Sequence, residues 1–210
     1  MIRILVADDH AVVREGVKQI LAGLGDIVVE GEAANGQETL DKLAKGHYDV
    51  ILLDISMPGR SGLEILEEIV NHRPRLPVLI LSMHPEEQYA VRALRAGAAG
   101  YLTKASAPQE LIGAVRKVAR GGKYVTASLA EKLALELDLG AQKQRHETLS
   151  NREYQVMLMI AWGKSVGEIA SELSLSVKTV STYRSRVMEK MGMKKNAELT
   201  MYAVNNHLLS

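Results

Sequence analysis

Five side chains stand out because each follows a short apolar run: Asp8 and Asp9 after Ile2–Ala7, Asp54 after Val50–Leu53, Ser82 after Pro77–Leu81, and Lys104 just past Gly100–Leu102. If those runs are neighbouring strands, the five converge on one edge. Three carboxylates packed together repel and raise one another's pKa unless a cation sits among them, and all-oxygen ligation suits Mg²⁺. One carboxylate then serves as nucleophile toward phosphorus, because the metal and the lysine neutralise the phosphoryl oxygens in the transition state. Taken singly, each residue has a plainer role. A strand-end Asp is usually a turn or cap residue, Lys104 a solvated cation, Ser82 a cap, and Tyr101 half-buried sheet packing. Only a shared location gives them chemistry. His10, His47, His72, His84, His146 and His207 show no paired metal-ligand spacing, which assigns all six to the surface or the core.

The elements that must bring these residues together are legible in the front half. Ile2–Ala7, Ile27–Gly31, Val50–Leu53, Pro77–Leu81 and Gly100–Leu102 are β-branched, apolar and strand-length. Ala11–Leu24, Gln37–Lys45, Leu63–Asn71, Glu86–Ala96 and Gln109–Arg120 carry helical period between and after them. Strands apolar almost throughout, joined by helices, imply a doubly wound α/β fold: five parallel strands covered on both faces with right-handed crossovers. Such sheets bind ligands outside the strands' carboxyl ends, where strand order reverses. Asn35 with Glu38, Ser61 with Glu64, Ser150 with Glu153 and Ser165 with Glu168 each place a capping oxygen three residues before a glutamate.

At 210 residues, with 47% hydrophobic and 24% charged positions, the chain suits two globular domains with real cores. The absence of cysteine excludes a disulfide scaffold and thiolate chemistry. No apolar run approaches the roughly 20 residues that span a bilayer, and the opening stretch lacks the apolar core of a signal peptide. A cytoplasmic location away from membranes is therefore expected. Net charge is only +1, but residues 1–122 hold 14 basic and 16 acidic residues while 147–210 hold 8 and 6. All five prolines lie before Gln109. The expected organisation is a first domain over 1–122 closed by Gly121-Gly122, a partly helical linker over 123–146 whose polar Gln142–His146 end is flexible, and a small all-α domain over 147–210.

Four helices are expected in that last segment: Asn151–Trp162, Val166–Leu173, Val177–Met191 and Ala197–Leu208. The middle pair, separated by Ser174-Leu175-Ser176, forms a helix-turn-helix. Val180, Val187 and Met191, with Tyr183 at the border, should face the core. The opposite stripe is Lys178, Ser181, Thr182 and Ser185, flanked by Arg184 and Arg186. Small hydroxyls reach base edges and guanidiniums reach phosphates when a helix lies in a major groove.

Together, Asp8-Asp9, Asp54-Ile-Ser-Met-Pro58-Gly59, Ser82 and Ala96-Gly97-Ala98-Ala99-Gly100-Tyr101-Leu-Thr-Lys104 resemble the flavodoxin-like receiver domain of bacterial two-component response regulators. The segments Leu149–Glu153, Ile169–Val180 and Met188–Lys194 resemble the LuxR-type helix-turn-helix of the NarL/FixJ class. The resemblance implies that Asp54 accepts a phosphoryl group from a sensor histidine kinase. It implies that Asp8, Asp9, Asp54 and the backbone carbonyl of Ser56 hold Mg²⁺, that Lys104 and Ser82 grip the phosphoryl oxygens, and that Tyr101 swings inward once Ser82 moves. It further implies that Lys178, Thr179, Ser181, Thr182, Ser185 and Arg186 face double-stranded promoter DNA. The last helix would pair two copies of the phosphorylated chain, and RNA polymerase is a further expected contact. Such a protein is a regulator rather than an enzyme. Two rivals share parts of the pattern. A haloacid dehalogenase-type phosphatase needs a second aspartate two residues on, where Ser56 stands; a receiver-controlled module could instead use its tail to bind protein.

Overall fold

Five apolar segments form one parallel sheet: β1 (Ile2–Ala7), β2 (Ile27–Ala33), β3 (Val50–Leu53), β4 (Val78–Ser82) and β5 (Gly100–Thr103). Their order is β2-β1-β3-β4-β5. The computed structural model describes residues 1–138 and 144–209, which divide into two units at Leu129/Ala130. β3 and β4 are buried along their whole length because helices cover both faces, as the continuous apolar composition requires. Ile4, Leu5, Ile51 and Leu53 are fully buried, so truncating one such side chain to alanine would cost about 2–5 kcal/mol.

The connecting helices are α1 (Ala11–Leu21), α2 (Gly36–Lys45), α3 (Gly62–His72), α4 (Glu86–Arg95) and α5 (Pro108–Ala119). The Asn35 side chain accepts from the Glu38 amide to start α2, and Ser61 with Glu64 makes a reciprocal capping box at α3. Pro108 opens α5 in the first turn, where its missing N–H costs nothing. α1 stops three residues earlier than its apolar pattern suggests, and Gly23 turns the chain away with φ +80°. Past Gly121-Gly122 the backbone does not leave the first unit at once. Tyr124 donates its amide to the Ala99 carbonyl at 2.8 Å and bridges Gly100 beside β5.

The connector contains α6 (Ala127–Asp138). Gln142 and Lys143, part of the polar stretch expected to be flexible, lie outside the described residues. Arg145 and His146 differ from that expectation, forming a 3₁₀ turn that ends at Thr148. Arg145 donates to the Met191 carbonyl, and His146 Nδ1 lies 3.0 Å from the Tyr202 hydroxyl. Beyond it come α7 (Asn151–Ala161), α8 (Val166–Glu172), α9 (Val177–Met191) and α10 (Asn196–Asn205). Met157, Ile169, Val180, Val187, Met191, Leu199 and Ala203 are buried. Capping boxes start α7 and α8, and Gly192 in the left-handed region ends α9. Among the described residues no helix is long and apolar enough to cross a membrane.

Candidate functional site

Strand order reverses between β1 and β3, which are hydrogen-bonded neighbours with β2 on one side and β4 and β5 on the other. Asp8 and Asp9 leave β1 there, and Asp54 leaves β3, so the topology places all three in one crevice. Lys104 enters from beyond β5, its amide donating to the Ser82 carbonyl at 2.7 Å. Its Nζ lies 2.6 Å from Asp8 Oδ2 and 2.9 Å from Asp54 Oδ2, with all three side chains at most 5% exposed. The expected convergence of carboxylates and ammonium is present.

Asp54 Oδ1 is buried without a hydrogen-bond partner among the described residues. Burial pushes the Asp54 carboxyl above the ordinary carboxylate range, and Lys104 only partly opposes this. For Lys104 the balance runs the other way. Burial disfavours its ammonium, but Asp54 and Asp8 outweigh it and raise the pKa, so the cation persists. The carboxylates of Asp8, Asp9 and Asp54 and the ring of His10 offer ligand atoms within 4.8 Å of one another. Hard oxygen donors, one of them buried and unused, fit the demands of Mg²⁺. The sequence spacing gives His10 no metal-ligand role and leaves it to the surface or the core. Its ring is mostly exposed, yet Nδ1 lies 2.8 Å from Asp9 Oδ1 and its amide donates to Asp8 Oδ1 at 2.9 Å.

The Asp54–Ser61 loop is held by a contact that cap spacing alone does not reveal. A Cβ at Gly62 would stand 2.0 Å from the Asp54 carbonyl oxygen, and the Gly62 amide donates to the Ile55 carbonyl at 2.9 Å. Only glycine lets α3 start this close to the end of β3. Within the loop, the Ser56 hydroxyl lies 3.0 Å from His84 Nε2. The His84 amide donates to Ser82 Oγ at 3.1 Å, and its carbonyl accepts from the Tyr101 hydroxyl at 2.8 Å. His84 therefore joins the acid crevice to Ser82 and Tyr101, a link that its sequence position did not announce. Tyr101, expected to swing inward, already lies inward. Its buried ring has a hydroxyl partner, and burial raises its pKa, keeping the phenol protonated as a donor.

In the second unit α8 and α9 meet through a turn in which Ser174 adopts φ +53°. Ser176 caps α9 by accepting the Thr179 amide at 3.0 Å, and its Oγ lies 2.8 Å from the Thr179 hydroxyl. Lys178, Ser181, Thr182, Ser185 and Arg186 are exposed, Thr179 half-buried, and Val180 and Val187 fully buried on the opposite side. Thr182 and Ser185 donate to the carbonyls of Lys178 and Ser181 and keep acceptor lone pairs outward. Arg184, expected at the edge of the reading face, also has a structural partner. Its Nε and one terminal nitrogen donate to Asn196 Oδ1 at 3.0 and 2.9 Å, binding α9 to α10.

Residues 4–116 match the response regulator receiver domain family, and residues 147–203 match the bacterial regulatory proteins of the luxR family. This chain belongs to the two-component response regulators of the NarL/FixJ class. The response regulator UvrY of Escherichia coli strain K12 is 38% identical over 209 residues, covering 99% of this chain and 96% of that protein. The response regulator GacA of Pseudomonas viridiflava is 38% identical over 100% of this chain and 98% of its own. Among solved structures, the Salmonella typhimurium response regulator RcsB is 27% identical with a TM-score of 0.69, each chain 98% covered. RcsB from Salmonella enterica serovar Typhimurium, bound to promoter rprA with the phosphomimetic BeF₃⁻, is 26% identical with a TM-score of 0.65, covering 96% of this chain and 97% of that one. This response regulator is thus a DNA-binding transcription regulator under phosphorylation control, with a flavodoxin-like receiver followed by a LuxR-type helical domain.

Proposed function

We propose that Asp54 is the phosphoacceptor and that its phosphorylation by a sensor histidine kinase governs promoter binding through α9. The observation that supports this most is Asp54 Oδ1, buried without a hydrogen-bond partner among the described residues, on the carboxylate that pairs with the Lys104 ammonium. In that setting the carboxylate has one oxygen engaged and one available for attack on phosphorus. Mg²⁺ would be held by Asp8, Asp9, Asp54 and the Ser56 carbonyl, supplying positive charge to the phosphoryl oxygens. Lys104 is placed to neutralise the same oxygens, and Ser82 to donate a hydrogen bond to them. No aspartate stands two residues beyond Asp54, and the Ser56 hydroxyl found there is engaged by His84. Sustained phosphatase turnover is accordingly not expected, and the chain acts as a regulator rather than an enzyme.

A phosphoryl group adds about 1.5–2 negative charges and shifts an equilibrium only by interacting differently with its two states. Ser82, His84 and Tyr101 form the hydrogen-bonded path that would repack. In our reading the receiver comprises residues 1–122, the linker 123–146 and the DNA-binding domain 147–210. Lys178, Thr179, Ser181, Thr182, Ser185 and Arg186 face the DNA. The phosphorylated chain pairs through its last helix, reads two half-sites about one helical turn apart, contacts RNA polymerase and works in the cytoplasm. The chemistry is tested by incubating the full chain with Mg²⁺ and a small acyl phosphate. Acid-labile phosphate is expected on the wild type and none on Asp54→Ala; labelling that survives the substitution overturns the assignment.

A further inference from the structure

The edge of the receiver remote from Asp54 carries a cavity of about 720 Å³ with nothing in the phosphotransfer reading to explain it. It opens where β3, β4 and β5 begin, next to Asp49, Pro77 and Ala99, and its wall includes His47, Arg73, Arg75 and Lys123. The lining carboxylate, Asp49, is already occupied: it accepts from the Arg3 amide at 2.8 Å and from Arg3 Nε at 3.2 Å. Three permanent cations therefore face the cavity against one carboxylate that a fourth cation neutralises, which leaves a positive local field.

Two of those cations are fixed in place. Arg73 donates one terminal nitrogen to the Leu43 carbonyl, and Lys123 Nζ donates to the Ala98 carbonyl at 2.7 Å. A guanidinium has five N–H donors and an ammonium three, so both keep donors for a ligand while their orientation is already set. Arg75 is exposed beside them. Val70 and Val118 supply apolar wall. The site is an open groove, and its volume lies within the range of about 300–1,000 Å³ for clefts that take small organic ligands. From the cationic rim, the apolar wall and the volume, we infer that this cavity binds a phosphorylated nucleotide of nucleoside-diphosphate size. Gly121-Gly122, which close the receiver after α5, and Lys123, which begins the connector, all belong to the wall. An occupant would join the α3–β4 loop to the start of that connector, giving the receiver an input independent of Asp54.

Calorimetric titration of the full chain with ADP and GDP, with guanosine and pyrophosphate as the separated halves, tests this. A diphosphate nucleotide should bind at least tenfold more tightly than either half. Arg75→Glu should weaken it at least tenfold and Arg75→Lys by less than threefold, with melting temperatures unchanged because residue 75 is exposed. Absence of nucleotide binding overturns the inference. So does binding that Arg75→Glu leaves intact, which would locate the ligand elsewhere. Pyrophosphate binding as tight as the nucleotide's would reduce the cavity to an anion groove and likewise overturn it.

Discussion

Lys104 Nζ stands 2.9 Å from Asp54 Oδ2, and the same ammonium reaches Asp8 Oδ2 at 2.6 Å, so one cation holds two buried carboxylates together. Removing one partner of a buried pair leaves uncompensated charge and costs about 3–5 kcal/mol. Lys104→Met should therefore lower the receiver's unfolding free energy, read from its urea transition, by an amount in that range and shift the midpoint down. Millimolar Mg²⁺ should restore part of the loss, since a divalent ion among Asp8, Asp9 and Asp54 replaces the missing charge. A midpoint unchanged by the substitution would mean that the two carboxylates do not depend on this cation.

The pH dependence has a definite sign. The folded-state pKa of Asp54 lies above its ordinary value of 3.8, with burial the leading cause. The folded chain thus holds this proton more tightly than the unfolded chain, and stability from this group falls as pH rises above about 3.8. Asp54→Asn removes the cost of ionising there. Without Mg²⁺ it should melt above the wild type at pH 7, and the two curves should converge as pH drops below 3.8. A wild type that melts higher at neutral pH would reverse the balance between burial and Lys104.

Glycines in the receiver should answer substitution in opposite directions. At Gly62 a Cβ would meet the Asp54 carbonyl at 2.0 Å, and forcing it in costs about 1–3 kcal/mol. Moving that loop also displaces the phosphoacceptor, so Gly62→Ala should lower both the melting temperature and the rate of acyl-phosphate labelling. Gly113 lies inside α5 with no atom within 4 Å of a built Cβ. Gly113→Ala should stabilise by about 0.5–1 kcal/mol through helix propensity alone and leave labelling unchanged.

Much of this architecture is written locally, which is why it was legible. Capping at Asn35, Ser61, Ser150 and Ser165 depends on residues three apart and formed as expected. β3 and β4 declared themselves by apolar continuity, and strand-end placement then delivered Asp8, Asp54 and Lys104 to one crevice. What stayed hidden depends on pairs distant in sequence. The Gly62 contact requires α3 to return against β3, and His84 gained its partners only once β3, β4 and β5 were side by side. Nor does anything near Arg184 in the sequence indicate that Asn196 comes within hydrogen-bond reach.

That last contact separates structural from reading residues on α9. Arg184→Ala loses two hydrogen bonds to Asn196 and should destabilise the second unit by about 0.5–1.5 kcal/mol. Ser185→Glu combined with Arg186→Glu places two carboxylates on an exposed face where neither native side chain joins the core. Its melting temperature should match the wild type's while duplex binding is lost, because acidic groups now oppose the phosphates. Arg186→Ala alone should weaken binding about equally across sequences and reduce the slope of log affinity against log salt by about one. A salt slope unchanged by Arg186→Ala would remove that residue from the phosphate contacts, and full binding by the double variant would move the DNA-reading surface off this stripe.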